Sequence, residues 1–570
     1  MPNSISVALF SFEVGLTAAI PNYAGGLGIL TGDMLKSAAD LNLDVVGVSL
    51  LYSQGVFQQK IDAQGHQTEF YLDWNPEHWL VLRTETISLH LEQRTVKVKL
   101  WEYQLPRQDG KTNSIYFLDT NCPENHPEDR LITNELYPGN KELWLKQQIL
   151  LGIGGVQALR ALGYPVFANY HLNESHDMFV LIELRKLFGN WQEVRKRAVT
   201  TIHTPLPEAH RTIRISHLKK LLDHSYHHLF NDPFFRHDQF NQTEFAIHFS
   251  KYANGVAIKH GNTTQKTYPN YQIDAITNGV HPQTWANPHL QKLFDDYLPN
   301  WQFDPNVFRL AHKIPPSLLW QAHKQAKRDL INLVYQTTGQ TLDSEVFTIG
   351  FARRKVAYKR PNFIFSKIDK LNQIAEKYSG LQLVFAGKAW YNDLEGKKLL
   401  KQMFQHKTQL SSKIQLVFIP NYNMSVAAKM VAGVDLWLNN PIIPLEASGT
   451  SGMKANLNGV PNFSVLDGWW LEGWLEGITG WAIGDESGDL EKEIFDLYHK
   501  LETVILPTYY EQTQWIQIAA NCIGINASQF NTHRVMSDYL TKAYNKVFQE
   551  DYYLETNPQL VSVLENTVVI

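Results

Sequence analysis

Cysteine is nearly absent: Cys122 and Cys522 are the only two in 570 residues. Such a chain has no disulfide framework and no cysteine-based metal site, and no metal is expected. Basic excess is missing too. Lys and Arg number 52 against 56 Asp and Glu, a net charge of −4 with His neutral, so nothing drives counterion release from a nucleic acid. The chain opens Met1-Pro-Asn-Ser and runs straight into a short apolar segment. It shows no basic leader, long apolar stretch or small-residue cleavage site. No apolar run approaches the ~20 residues that span a bilayer. These absences lead to the expectation of a soluble cytoplasmic enzyme, with neither nucleic acid nor membrane as partner.

The length implies roughly two to four domain-sized units. Hydrophobic content of 44% and charged content of 19% are those of a globular protein with ample core. Aromatics are plentiful, with 15 Trp, 25 Tyr and 28 Phe. Sugar faces stack on such rings, and large cores use them equally well, so composition leaves both readings open.

Short apolar runs alternate with longer helical patterns. Ile5-Ser-Val-Ala-Leu-Phe10, Val45–Tyr52 and Arg197–His203 read as strands in the first half; Val346–Phe351, Leu381–Ala386, Ile414–Ile419 and Asp435–Asn439 do so in the second. Asp33–Leu43 and Asp393–Gln405 read as helices between them. This alternation predicts an α/β fold with parallel sheets covered on both faces. Thr95–Tyr103 alternates strictly, which predicts an antiparallel strand with one wet face. The turn signal Asn278-Gly-Val-His-Pro282 places a boundary near residue 278, giving units 1–277 and 278–570. From Glu491 on, the pattern is mainly helical. Two such units facing each other would leave a cleft at the carboxyl ends of their strands.

Several segments could carry chemistry. Tyr23-Ala-Gly-Gly-Leu-Gly-Ile-Leu-Thr-Gly-Asp33 joins a strand to a helix, where glycines let N–H groups face an anion. A tight turn alone explains it as well. Phe351-Ala-Arg-Arg-Lys-Val-Ala-Tyr-Lys-Arg-Pro361 puts five cations after a strand, a means of holding a phosphate dianion or else a solvated basic loop. His203-Thr-Pro205 and His171-Leu-Asn-Glu-Ser-His176 also end strands, where a His acts on a substrate hydroxyl or is a satisfied structural residue. His224, His227 and His228 lack a matched carboxylate and read as polar surface. Asp467-Gly-Trp-Trp-Leu-Glu-Gly-Trp474 offers sugar stacking or a packed support. Glu446-Ala-Ser-Gly-Thr-Ser-Gly-Met-Lys454 sets a lysine behind small and hydroxyl residues. A lysine so placed can form a Schiff base with pyridoxal phosphate while nearby backbone holds the cofactor's phosphate.

In order along the chain, these segments resemble the α-glucan (glycogen, starch or maltodextrin) phosphorylases in a short bacterial-type form. The matching blocks are Ser11-Phe-Glu13 with Gly25–Gly28, Asn173–His176, His203–Pro205, Asn254–Val256 with His260, Thr277–Val280, Arg353-Arg354 with Tyr358–Arg360, Asn421-Tyr422, and Glu446–Lys454. The resemblance implies two Rossmann-like domains facing across a cleft, of GT-B type. The reaction it implies is phosphorolysis of the terminal α-1,4-linked glucose of a glucan to α-glucose 1-phosphate, with retention.

On this resemblance Lys454 carries pyridoxal 5'-phosphate, whose phosphate rather than ring exchanges protons. Arg354 and Lys359 grip the substrate phosphate, with Gly25 and Gly26 as further donors. Thr450, Ser451, Gly452, Tyr422 and Arg353 surround the cofactor. Asn278, Glu446, Ala447, Ser448 and Gly449 hold the glucosyl unit, with His203, His176 and an apolar wall from Val256. Partners implied are α-1,4-glucan, inorganic phosphate and a second copy in a homodimer. Ala24, Ser175 and Lys355-Val-Ala357 depart from the family pattern. The long regulatory extension of animal members is not expected, because the first motif begins by about Val7. Two alternatives remain: a nucleotide-sugar-dependent glucan synthase of similar architecture, against which the Lys454 segment argues because that chemistry has no use for pyridoxal phosphate, and a non-catalytic glucan-binding protein.

Overall fold

The computed structural model describes residues 6–72, 74–205, 211–235 and 237–546. They group into two compact units, one made of 6–56, 74–277 and 535–546, the other of 57–72 and 278–534. Ile5, expected to open the first strand, lies outside the described residues.

The first unit is built on nine strands: β1 (Ser6–Phe10), β2 (Asp44–Leu50), β3 (Val81–Leu91), β4 (Arg94–Pro106), β5 (Thr112–Asp119), β6 (Asn169–Leu172), β7 (Ala198–Thr201), β8 (Tyr252–Gly255) and β9 (Asp274–Ala275). Their order is β9-β8-β7-β6-β1-β2-β5-β4-β3. All pair in parallel except β4, which is antiparallel to both neighbours. β1 reads as a continuous apolar run because Val7, Ala8, Leu9 and Phe10 are all buried, as in a sheet covered on both faces. β4 alternates as expected, with Val96, Val98 and Leu100 buried and Lys97 and Lys99 partly exposed. The chain leaves β1 toward β2 on one side and adds β6 on the other. The carboxyl ends of β1 and β6 therefore diverge at a topological switch point, the usual ligand crevice of an open α/β sheet.

The second unit holds β10 (Thr348–Ala352), β11 (Leu381–Ala386), β12 (Ile414–Ile419), β13 (Leu436–Asn439), β14 (Asn462–Val465) and β15 (Gly480–Ile483). They run β12-β11-β10-β13-β14-β15, all parallel. This is the 3-2-1-4-5-6 order of the dinucleotide-binding sheet, with its switch point between β10 and β13. Asp435 stays outside β13 for a physical reason. Its buried carboxylate accepts from His323 Nε2 at 2.9 Å, Lys327 Nζ at 2.7 Å and Thr348 N at 2.8 Å, fixing the start of β13 to that of β10. From Glu491 to Tyr544 the chain is mainly helical, as expected, with π-helical turns at Leu501–Ile505, Cys522–Ala527 and Tyr539–Tyr544. No helix among the described residues is long and apolar enough to cross a membrane.

Phe351, Phe385 and Phe418 stand in register across β10, β11 and β12. Lys355 Nζ lies 5.1 to 5.5 Å from all three ring centroids and has no hydrogen-bond partner. Ring faces attract the cation, but burial pushes the ammonium down to about 7. An unfolded lysine titrates near ~10.4, so between these values the unfolded chain holds more protons. The resulting penalty is complete below the folded value and vanishes above the unfolded one. Lys355→Met should therefore raise the thermal midpoint most near pH 7 and least near pH 10. Melting curves at both pH values check this; an equal shift at the two would exclude the ammonium as the cause.

Candidate functional sites at the two switch points

In the first unit, Ser11-Phe-Glu13 follows β1 and Asn173–His176 follows β6. Glu13 Oε2 accepts the main-chain N–H groups of Ala24 and Gly25, and Oε1 accepts the Tyr137 hydroxyl at 2.8 Å. The Gly25 N–H expected to face a phosphate is thus given to Glu13. Gly26, first residue of the helix Gly26–Asp40, is left as the donor of that pair. A Cβ on Gly25 or Gly26 would meet nothing within 4 Å, and Gly25 at φ −154 is extended backbone open to any residue. Neither packing nor dihedrals require glycine there; close approach of a ligand to the backbone would.

A chain of hydrogen bonds orients His203. Thr31 Oγ1 donates to Leu27 O at 3.0 Å, and Asn173 Nδ2 donates to Thr31 Oγ1 at 2.7 Å and Ser11 Oγ at 3.2 Å. Asn173 Oδ1 must then accept from His203 Nε2, 2.7 Å away, so the ring proton sits on Nε2. Burial, with smaller repulsion from neighbouring histidines, lowers His203 to about 3, and burial does the same to His176. Both rings are neutral near pH 7. His176 packs edge-on to Phe12 at 4.7 Å between centroids, and its Nε2 is buried without a hydrogen bond. His171 is the structural case, bonded to Thr201 Oγ1 at 2.8 Å and Tyr544 Oη at 2.9 Å. Val256 is buried, its N–H donating to His260 Nδ1 at 3.1 Å. Sequence reasoning did not single out Glu174. It adopts φ +123, ψ 160, a region comfortable only for glycine that costs another residue about 1–3 kcal/mol.

The second unit sorts the five cations of its basic loop into different roles. Arg353, directly after β10, donates through Nη1 to Asn439 Oδ1 at the end of β13 and through Nη2 to Glu446 Oε1 at 2.8 Å. Lys359 Nζ bonds Glu446 Oε2 at 2.9 Å. Burial would raise the Glu446 carboxyl, but Arg353 and Lys359 outweigh it and hold the group at about 2. Glu446, expected against the glucosyl unit, therefore has both oxygens on cations; a buried carboxylate beside two cations is stabilised by them first. Lys355 is caged by phenylalanines. Arg360 is structural, its guanidinium on Asn440 O, Pro441 O and Glu493. Arg354 is exposed, with no ion-pair partner among the described residues. Tyr422 lies close enough to Arg353 to act on it electrostatically.

Lys454 rides on the helix Thr450–Leu457, whose N-cap Gly449 is left-handed at φ 91. Thr450 and Lys454, four residues apart, share a face. Lys454 is buried, with Nζ 3.6 Å from the Trp285 ring centroid. Asn458 Nδ2 ties the two together, donating to Lys454 O at 2.8 Å and Trp285 O at 2.9 Å. Ser448 Oγ is buried with no hydrogen-bond partner. Ser451 Oγ receives the Trp437 indole N–H at 3.2 Å. Gly452 packs so tightly that a Cβ would meet Asn462 Oδ1 at 2.8 Å, so packing already accounts for that glycine. Asn278 is buried, and its carbonyl accepts from Arg534 Nη2 at 3.0 Å. Asp467 Oδ2 accepts the Glu446 N–H at 2.9 Å, and Trp469 N donates to Ser448 O at 3.0 Å. With Trp469 and Trp470 fully buried, the tryptophan segment is a support under the lysine segment. His224 and His227 pair with each other through Nδ1 at 3.3 Å, and among the described residues no group of three His, Cys, Asp or Glu is set to hold a metal.

Of the residues that escaped the sequence reading, Asn439 had one signal, a polar residue ending a predicted strand. Trp285 and Asn458 had none, because their roles exist only where separate segments meet.

These features define an α/β protein with a cationic switch point and a buried, aromatic-backed lysine. A family model described as carbohydrate phosphorylase matches residues 17–121 and 235–474. The chain is 37% identical to a maltodextrin phosphorylase of Thermococcus litoralis, covering 96% of this chain and 72% of the relative. It is 34% identical to a glycogen phosphorylase of Aquifex aeolicus, covering 96% and 87%, and 32% identical to one of Mycobacterium tuberculosis, covering 94% and 70%. The chain belongs to the carbohydrate phosphorylase family.

Removing the carboxylate from a buried ion cluster leaves its cations uncompensated, at a cost of about 3–5 kcal/mol. Glu446→Gln should therefore lose stability on that order in denaturant titration. A loss below about 1 kcal/mol would mean that water, and not Glu446, compensates Arg353 and Lys359.

Proposed function

We propose that this chain is an α-glucan phosphorylase, transferring the terminal α-1,4-linked glucose of a glucan to inorganic phosphate to give α-glucose 1-phosphate with retention. The observation that carries this reading is the cation arrangement after β10. Arg353 and Lys359 share one carboxylate, Glu446, and Arg354 is unshared, so the loop holds a surplus of positive charge suited to a phosphate dianion. Arg354 would grip that phosphate, with Lys359 beside it and the Gly26 N–H as a further donor.

The lysine segment fits pyridoxal 5'-phosphate. Ser448 Oγ is an orphaned buried hydroxyl, left-handed Gly449 opens the helix, and Thr450 shares a face with the Lys454 amine. Lys454 would hold the cofactor's aldehyde end, and Thr450 with the first helical N–H groups its phosphate. Bound there, the cofactor supplies a phosphate with a second pKa near ~6, able to exchange a proton near neutral pH. Tyr422 and Arg353 would border it.

The glucosyl unit would meet Asn278, Ala447, Ser448 and Gly449. With its proton on Nε2, neutral His203 offers Nδ1 as an acceptor for a sugar hydroxyl. Glu446 serves as the counter-charge that sets Arg353 and Lys359, and it has no catalytic carboxylate partner of the kind the two-carboxylate glycosidase mechanism requires. We further propose the family's GT-B arrangement, in which both units act on one ligand.

Phosphate-dependent release of glucose 1-phosphate from maltodextrin tests the reading; glucose transfer from ADP- or UDP-glucose without phosphate would replace it with a synthase. Arg354→Ala should lower kcat/KM for phosphate by roughly 100- to 1,000-fold while maltodextrin retention on an affinity gel is unchanged. Undiminished turnover would refute the phosphate assignment. After reconstitution with pyridoxal phosphate, borohydride should fix the adduct on Lys454, located by peptide mass; fixation elsewhere, or none, would refute the cofactor assignment.

A further inference from the structure

We propose that Glu174 is a positioning residue, holding the His203 backbone at the first unit's switch point through a strained backbone of its own. The inference rests on the reading above, in which His203 meets the sugar. Glu174 follows β6, and its carboxylate is divided between two main-chain donors: Oε1 accepts Ser175 N at 2.8 Å, and Oε2 accepts His203 N at 2.9 Å. The second bond joins the end of β6 to the end of β7. With the Asn173 bond to His203 Nε2, it holds that residue at both main chain and ring. At φ +123 a side chain is disfavoured, and a residue other than glycine persists there only where surrounding contacts over-determine it. Here those contacts are the two N–H bonds. Strain of this kind concentrates where geometry serves a ligand.

The arrangement also predicts a pH response. Burial raises the Glu174 carboxyl, while the bonds from Ser175 and His203 pull it down by less. The groups facing it are Asp177, also raised by burial and by Glu174, Tyr268 beyond the helix Ile258–Thr267, and neutral His203. No cation among these favours the carboxylate. Protonation as pH falls takes acceptor capacity from one oxygen and frees one N–H, so activity should decline on the acid side.

The test is steady-state, phosphate-dependent release of glucose 1-phosphate across pH for wild type, Glu174→Gln and Glu174→Gly. An amide has one acceptor oxygen where two are needed. Glu174→Gln should therefore lower kcat roughly 100-fold, the scale of a small misplacement, with KM for phosphate unchanged and the acid limb shifted to the one set by phosphate ionisation alone. Glu174→Gly is at ease at positive φ and should fold with the same loss of kcat. Wild-type kcat in either folded variant, or an unaltered acid limb in Glu174→Gln, would overturn the inference alone. A wild type without phosphate-dependent release would overturn the functional reading, and this inference with it.

Discussion

A single buried carboxylate between two cations holds the second switch point together. Glu446 lies in the loop after β13, Arg353 at the end of β10 and Lys359 farther along the basic loop, and all three are buried. None of these charges is tolerable alone in that environment, and each is tolerable because of the others. The cluster therefore ties two diverging strand ends and the loop between them into one geometry. Its stoichiometry matters as much as its strength: one anion for two cations leaves a positive remainder, and exposed Arg354 adds to it.

The first unit solves a different problem with different means. Its switch point combines neutral hydrogen bonds from Thr31 through Asn173 to the His203 ring with carboxylates that accept main-chain N–H groups, and burial keeps the histidines uncharged. Directional bonds of fixed polarity suit recognition of hydroxyl groups, whose donors and acceptors must be matched one by one. A cationic remainder suits a diffuse dianion. The two switch points thus differ in chemistry, one neutral at its histidines and the other cationic.

Much of this was legible from residue order. Central strands such as Leu381–Ala386 and Ile414–Ile419 announced themselves as unbroken apolar runs because both faces are covered. The alternation of β4 likewise reported its one wet face. Within the site, the glycines at 25 and 26, the basic loop and the lysine segment were recognisable as types. What residue types do not carry is pairing. Five cations in a row look equivalent until three-dimensional neighbours give one a carboxylate, another a ring of phenylalanines and a third a set of carbonyls. Glu446 looked free for a sugar because its partners lie 93 and 87 residues away. Glu174 was hidden for another reason: its importance lies in a backbone angle, which no side chain discloses.

The chain closes its first unit late. Tyr539 Oη bonds Thr201 Oγ1 at 2.7 Å and accepts from Asn254 Nδ2 at 3.2 Å, while Tyr544 Oη meets His171 at 2.9 Å and its carbonyl accepts from Lys251 Nζ at 3.1 Å. Those tyrosines are added some 260 residues after β9, once 278–534 has been made. During vectorial synthesis Thr201, His171 and Asn254 therefore emerge with one another as partners, well before Tyr539 and Tyr544 add theirs. The last side-chain partners of β6 to β8 therefore become available to the chain only after residues 278–534 have been synthesised.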